Sequence, residues 1–372
     1  MKKKIALIFG GRSLESDISV ITALQALYCV DTSKYVVEPL YLYEGDFYVD
    51  GVDRIESFVN FNVAEHKRCI LSKGVFYTVK RNKLYRRFKP DCALVCCHGG
   101  EGENGVLQAL LEFNGIPYTC CGVLQSACGM DKTLLKRVFM SMGLDVAPYC
   151  MLQKEDFECN RQQSVRFIEK TLQYPLIIKP SSQGSSIGIS VANDEDELIY
   201  ALKVAYSFDS NAIVEHKLQN VVEVNCAAVK TTDGITVSMT EQPEFDNAYL
   251  TFDDKYLSSG KMSANTHVMP AKIGDLNEKV KQITLEIYKT LALKGVVRVD
   301  FLVDTESKTV YVNEINTVPG SLAFYLFEKG GLSFEKLIDQ MIEYATSAGI
   351  EYRKTYKSNV LTNFKNGRKI NK

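Results

Sequence analysis

The chain has 372 residues, 46% hydrophobic and 24% charged, with a formal net charge of −1. That length and apolar content suit two or three domains with buried cores, and the near-balance of charge excludes a general nucleic-acid or membrane-surface binder. The 11 Cys lack CxxC or Cys/His spacing, so they read as reduced thiols in a cytoplasmic protein, not as a metal or disulfide framework.

The start, Met1-Lys-Lys-Lys running straight into a strand, shows no signal peptide, and no apolar run approaches the roughly 18 residues of a membrane span. Residues 5–10 are an apolar strand broken at Gly10-Gly11 and followed by a helix with Ile18, Ile21, Leu24 and Leu27 as its apolar stripe. Strand, glycine turn and helix open an α/β domain with a parallel sheet. Residues 35–90 hold several short strand-like runs. A buried strand over 91–98 ends at HGGEGENG, a helix covers 107–113, and Gly115 to Tyr118 enters another strand. Residues 131–142 are helical behind a cap-like Asp131, and Pro148 with the charged run 154–161 marks a change of unit.

A strand over 176–180 stops at the loop SSQGSSIG. A helix over 194–208 opens on acidic residues, which suit its positive end. Strands follow at 212–215 and 222–229, then an amphipathic helix over 278–293 with Val280, Ile283, Ile287 and Leu291 on one stripe. The last helix covers 332–344, and the end beyond Ala348 is strongly basic. That end reads as a frayed tail or, alternatively, as a contact for an anionic partner.

The chemistry gathers at Val297 to Gly320, two antiparallel strands joined by a polar turn. Period 2 puts Arg298 and Asp300 on one face of the first strand, and Val312, Glu314 and Asn316 on one face of the second. Two carboxylates and an amide oxygen beside a guanidinium suit Mg²⁺. The alternative is a solvated surface hairpin. In SSQGSSIG, glycines permit close backbone approach, and the hydroxyls of Ser185 and Ser186 can cradle phosphate behind Lys179; a plain flexible turn is the other reading. Glu215 ends an apolar run where it can accept from a purine amine, and Glu223 can accept from ribose, unless both are edge carboxylates in water. Lys255 and Tyr256 lie in a long polar stretch that reads as a lid or as disorder. Glu15 begins a helix whose free N–H groups suit an anion, or it is a first-turn carboxylate. His98 stands at a strand end, where ligand contact and a structural role are both open.

Six segments together resemble a family. IFGGRSLESDISV, HGGEGENGVLQALLEFNGIPYT, MDKTLLK, YPLIIKPSSQGSSIGIS, DDKYLS and RVDFLVD…VYVNEINTVPG follow the order and spacing of the D-alanine–D-alanine ligases of the ATP-grasp superfamily, over roughly residues 4–340. The resemblance implies a three-domain α/β (α+β) ATP-grasp architecture: an N-terminal parallel-sheet α/β domain (1–125) contributing the first-substrate site, a central domain (126–215), a C-terminal domain with metal site and lid (216–348), and the basic tail (349–372). It implies ATP and two Mg²⁺ ions, with Mn²⁺ an alternative, D-alanine as substrate, a cytoplasmic place in peptidoglycan synthesis, and commonly a homodimer.

The resemblance also implies residue roles. Asp300, Glu314 and Asn316 match the metal ligands, and Lys132 and Lys179 match lysines on the nucleotide phosphates. Ser186 falls in the phosphate loop. Glu215 and Glu223 match the adenine and ribose acids, and Lys255 matches the lid lysine. Glu15, Ser185 and Tyr256 match a hydrogen-bonded group linking the first-substrate site to two loops. Arg298 and the Gly320 amide match the oxyanion-stabilising pair, and His98 lies near the first amino acid. The chain departs from the pattern after NTVPG. The Ser that holds the second substrate's carboxylate is replaced by Tyr325, followed by Leu326, which makes the acceptor (D-alanine, D-serine, D-lactate or another amino acid) an open expectation. A non-catalytic nucleotide-binding protein is the remaining alternative.

Overall fold

The computed structural model describes residues 2–243, 268–350, 359, 361 and 362. Three β-sheets organise them. The first holds β1 (Lys3–Gly10), β2 (Tyr35–Tyr43), β3 (Asp46–Val49), β4 (Lys67–Ser72), β5 (Val75–Lys80), β6 (Lys83–Phe88) and β7 (Cys92–Val95), in the order β6-β5-β4-β3-β2-β1-β7. Only β2-β1-β7 are parallel; β2 to β6 form an antiparallel meander built from the short runs of 35–90. The strand expected at Gly115 to Tyr118 is a single bridge from Tyr118 to Ala93.

Helix α1 (Ser16–Cys29) packs on this sheet with a face rotated from the expected stripe, keeping Leu24 and Leu27 against the core but turning Ile21 outward. Its buried residues are Ser19, Val20, Thr22, Ala23, Leu24 and Ala26, whereas Ile21 is 39% exposed. Ser19 and Thr22 can be buried because their hydroxyls are satisfied: Ser19 Oγ accepts from Gly10 N (2.6 Å) and donates to Cys96 O (2.8 Å). A stripe drawn through apolar residues alone misses such a face. Helices α2 (Glu56–Val59), α3 (Gly100–Glu103), α4 (Val106–Phe113), α5 (Val123–Met130) and α6 (Lys132–Ser141) follow, with Asp131 capping α6 by accepting from Leu134 N at 2.9 Å.

The second sheet is antiparallel: β8 (Tyr149–Gln153), β9 (Leu176–Pro180), β10 (Ser190–Ala192) and β11 (Asn211–His216), in the order β10-β9-β11-β8. Helices α7 (Lys154–Cys159), α8 (Arg161–Thr171) and α9 (Glu195–Ala205) cover it. The second sheet opens directly after Pro148, and the charged run 154–161 lies just inside it, past the first strand. It forms α7 and the start of α8, with Phe157 buried and Asn160 capping α8.

The third sheet holds β12 (Val221–Thr231), β13 (Gly234–Glu241), β14 (Val296–Asp304) and β15 (Thr309–Asn316), ordered β13-β12-β14-β15. The helix Leu276–Thr290 buries Val280, Ile283 and Ile287 behind it, as its stripe predicts. The final helix, Phe334–Ala348, returns to the first sheet, where Leu337, Ile338, Met341 and Ile342 join the core of β1 and β7. Burying each such side chain contributes ~1.5–3 kcal/mol. All eleven cysteines are unpaired thiols.

Candidate active site

The three sheets meet at a cleft lined by Glu15, Glu103, Lys132, Gln183, Gly184, Glu314, Asn316 and Thr317, among others. The hairpin β14–β15 supplies its floor. Arg298 stands opposite Asn316, and Asp300 opposite Glu314. The pairing slips by one between Asp300 and Phe301, a bulge that leaves Asn313 over. Buried Val310 and Val312 precede it and buried Ile315 follows it, so the inward phase flips. Strict alternation had put Val312 on the face of Glu314 and Asn316; the bulge instead turns Val312 into the core and the two polar side chains to the cleft.

Each acid has a cation beside it. Arg298 donates to both oxygens of Asp300 (Nε–Oδ1 2.7 Å, Nη2–Oδ2 2.8 Å), and Asn316 Nδ2 donates to Asp300 Oδ2 at 3.0 Å. Lys132 Nζ lies 3.2 Å from Glu314 Oε2 and donates to Gln183 O at 2.7 Å, which ties α6 to the loop after β9. The donor set is entirely oxygen, the kind a hard divalent cation takes. Among the described residues no three His, Cys, Asp or Glu side chains gather, so phosphates and water would complete the coordination.

The loop after β9 also reaches the first unit. Ser185 Oγ donates to the Glu15 carboxylate, and Ser185 and Ser186 both adopt positive φ (48° and 60°). The approach is close enough that a Cβ on Gly184 would stand 2.8 Å from Glu15 Oε2. Lys255 and Tyr256 lie outside the described residues.

Lys179 and Glu215 share a face of the second sheet, since Lys179 pairs with Ile213, two residues from Glu215. Lys179 Nζ donates to Glu215 Oε2 at 2.7 Å, and Lys136 Nζ of α6 lies 3.0 Å from Oε1 without hydrogen-bond geometry. Glu215 is 2% exposed; burial disfavours its charge, but the two lysines outweigh it and hold its carboxyl well below the usual range. Lys136 is a residue the motifs did not single out; its spacing from Lys132, one helical turn, was the available signal. Glu223 is exposed on β12, near enough to Lys179 to act on its charge.

His98 is buried with both ring nitrogens engaged: Nδ1 against Val318 O at 2.5 Å and Nε2 against Thr22 Oγ1 at 2.8 Å. It offers neither nitrogen to the cleft. Glu103, also missed, receives Gly99 N (2.8 Å) on one oxygen and Val318 N (2.8 Å) on the other. Burial and the facing Glu15 charge push its carboxyl up to about 7. Beyond Gly320, Tyr325 is half-buried near enough to Arg298 for its charge to act on the phenol, while Leu326 buries its side chain fully in the core.

The family model for the D-ala D-ala ligase N-terminus matches residues 4–121, and that for the D-ala D-ala ligase C-terminus matches residues 138–343. This chain belongs to the D-alanine–D-alanine ligase family. It is 37% identical to a D-alanine–D-alanine ligase of Thermosipho melanesiensis over 91% of this chain and 92% of that one. Among solved structures it is similar to the VanG D-Ala:D-Ser ligase of Enterococcus faecalis (TM-score 0.78, 28% identity, 93% of this chain, 100% of that one). It is also similar to the D-alanine–D-alanine ligase of Coxiella burnetii (TM-score 0.76, 26% identity, 93% and 96%). In this family member the β15 side chains Glu314 and Asn316, the loop after β9 and the mouth of the first-unit helix converge on one cleft.

Proposed function

We propose that the protein joins two D-alanine molecules at the expense of ATP, giving D-alanyl-D-alanine, ADP and phosphate for peptidoglycan synthesis in the cytoplasm. The observation that carries this reading is the convergence of Glu314, Asn316 and Lys132 at one cleft with the Glu15–Ser185 bridge, Asp300 being bonded to Asn316 and to Arg298 beside it. The carboxylate of the first D-alanine attacks the γ-phosphorus of ATP and ADP leaves. The amine of the second attacks the resulting acyl phosphate, loses a proton, and phosphate departs.

Lys132 and Lys179 offset phosphate charge, with Ser186 in the phosphate loop. Glu215 and Glu223 face the nucleoside, with Glu215 oriented by its two lysines. Glu15, steadied by Ser185, receives the ammonium of the first substrate. Arg298 and the Gly320 N–H stabilise the tetrahedral oxyanion, a role worth ~10²–10³-fold in rate per donor. Holding amine and acyl phosphate together makes the second step effectively unimolecular. Asp300, Glu314 and Asn316 would hold divalent cations, Mg²⁺ fitting best, which neutralise charge on the phosphoryl oxygens. Lys255 and Tyr256 are assigned to the lid, and the assembly to a homodimer.

Tyr325 favours a second reading of the acceptor. Its phenol lies beside Arg298, and Leu326, its side chain buried, can offer only its backbone N–H to an acceptor carboxylate. Phosphate release with ATP, Mg²⁺ and a panel of D-amino and D-hydroxy acids tests both readings. D-alanine alone should suffice; turnover only with a mixed pair such as D-alanine and D-serine would select the sibling activity. No release with any D-amino acid would sink the ligase reading. Tyr325→Ser should raise use of D-alanine as acceptor.

A further inference from the structure

The backbone just after Gly320 is held in an unusual form. Ser321, Leu322 and Ala323 have φ of 51°, 50° and 46°, three successive non-glycine residues in the left-handed region. L-residues visit that region singly, so such a run persists only where its surroundings over-determine it. Leu322 and Ala323 are buried, and besides Leu322 N donating to Pro319 O at 2.8 Å within the turn, the bonds that hold it come from the first unit. Ser321 N donates to Thr22 Oγ1 at 2.9 Å, His98 Nδ1 meets Val318 O at 2.5 Å, and Thr22 Oγ1 meets His98 Nε2 at 2.8 Å.

These contacts fix every hydrogen. A carbonyl can only accept, so Nδ1 of His98 carries the proton. Burial keeps the ring neutral, its pKa pushed down to about 4, with the Arg298 charge acting in the same direction. Nε2 of a neutral ring is then a bare acceptor, and the Thr22 hydroxyl must donate to it. That leaves Thr22 Oγ1 free to accept from Ser321. The relay runs one way, Ser321 N–H to Thr22 O–H to His98, and closes back on Val318. Both flanks of Gly320 are thereby tied to one hydroxyl–imidazole pair.

We propose that Thr22 and His98 are positioning residues that hold the 318–321 turn, and so aim the Gly320 N–H, with His98 fixed as the neutral Nδ1–H tautomer. The inference rests on Gly320 N–H being an oxyanion donor, as read above. His98 then acts through the turn instead of touching substrate.

Two measurements test it. Thr22→Val keeps the shape and removes the hydroxyl. Its kcat should fall by about tenfold, less than the ~10²–10³ for losing a donor outright, with the KM for ATP unchanged. Thr22→Ser should restore kcat. A Thr22→Val enzyme with unchanged kcat, or a Thr22→Ser enzyme as impaired as Thr22→Val, would overturn the positioning role. The second uses the unsubstituted protein, whose four histidines give a simple spectrum. Long-range ¹H–¹⁵N correlation should show His98 protonated at Nδ1 and bare at Nε2; the opposite tautomer refutes the relay. Inactivity of the unsubstituted protein with every D-amino acid would remove the ligase reading and the catalytic half of this inference, while the spectrum still decides the tautomer.

Discussion

Ser185 donates its hydroxyl to the Glu15 carboxylate across 170 residues of sequence. The bond ties the loop after β9 to the mouth of α1, and it stands at the cleft where the first substrate's ammonium is proposed to sit. Groups in one hydrogen-bond network couple by 0.5–3 kcal/mol. Glu15→Gln and Ser185→Ala should each lower kcat/KM for D-alanine, and the double substitution should cost less than the sum. Strict additivity in that cycle would separate the two roles.

The pairing of Asp300 with Arg298 and of Glu314 with Lys132 predicts how metal dependence fails. Glu314→Gln keeps the volume but removes one of two anionic oxygens donors, so divalent-dependent phosphate release should drop ~10²-fold or more. Far-ultraviolet circular dichroism should be unchanged. Chelation of divalent ions should abolish turnover of the unsubstituted enzyme reversibly. Turnover that survives both treatments would contradict the proposed ligand set.

The buried Lys136–Glu215–Lys179 group predicts an asymmetry in stability. Glu215→Gln leaves two ammonium groups facing each other out of water, and breaking such a pairing costs ~3–5 kcal/mol. Lys136→Met leaves Glu215 still paired with Lys179 and strips one oxygen of its cation, costing ~1–3 kcal/mol. Chemical denaturation of the two variants should rank them in that order. The reverse ranking would mean that Glu215 is not the centre of the group.

His98 and Glu103 predict opposing pH dependences of stability. The His98 pKa lies at about 4, below its ordinary 6.5, so its contribution is present above 6.5 and lost as pH falls toward 4. At ~1.4 kcal/mol per unit this is on the order of 3 kcal/mol. Glu103 lies at about 7, above its ordinary 4.5, so its contribution is present below 4.5 and lost as pH rises toward 7. Between 4.5 and 6.5 the two slopes offset. Glu103→Gln should unmask a stability that climbs with pH across that window, and His98→Gln one that falls. Denaturation midpoints from pH 4.5 to 7 check this; parallel slopes in both variants would rule it out.

Local chemistry made much of the site legible. Asp300 and Arg298 stand on a strand with clear alternation, Glu314 on its hairpin partner, and Ser185 and Gly184 in a glycine loop, so type and spacing pointed to them. Glu103 was not legible and Lys136 only through its spacing from Lys132, because a carboxylate in a glycine-rich turn and a lysine on a helix look solvated until tertiary contacts bury them. Thr22 was hidden for the opposite reason: a hydroxyl on a buried helix face breaks the apolar pattern by which such faces are read. The phase flip in β15 came from a bulge, which one residue's worth of pairing decides and no periodicity shows.

The sequence by itself determined the family, the hairpin that carries Arg298, Asp300, Glu314 and Asn316, and the presence of Tyr325 beyond it, because those depend on residue type and order along short segments. Only the tertiary structure decided that the last helix packs on the first sheet, that Glu215 is shared by two lysines, and that the turn after Gly320 is held by Thr22 and His98. Those facts depend on which distant groups are desolvated together, and desolvation is a property of the packed chain.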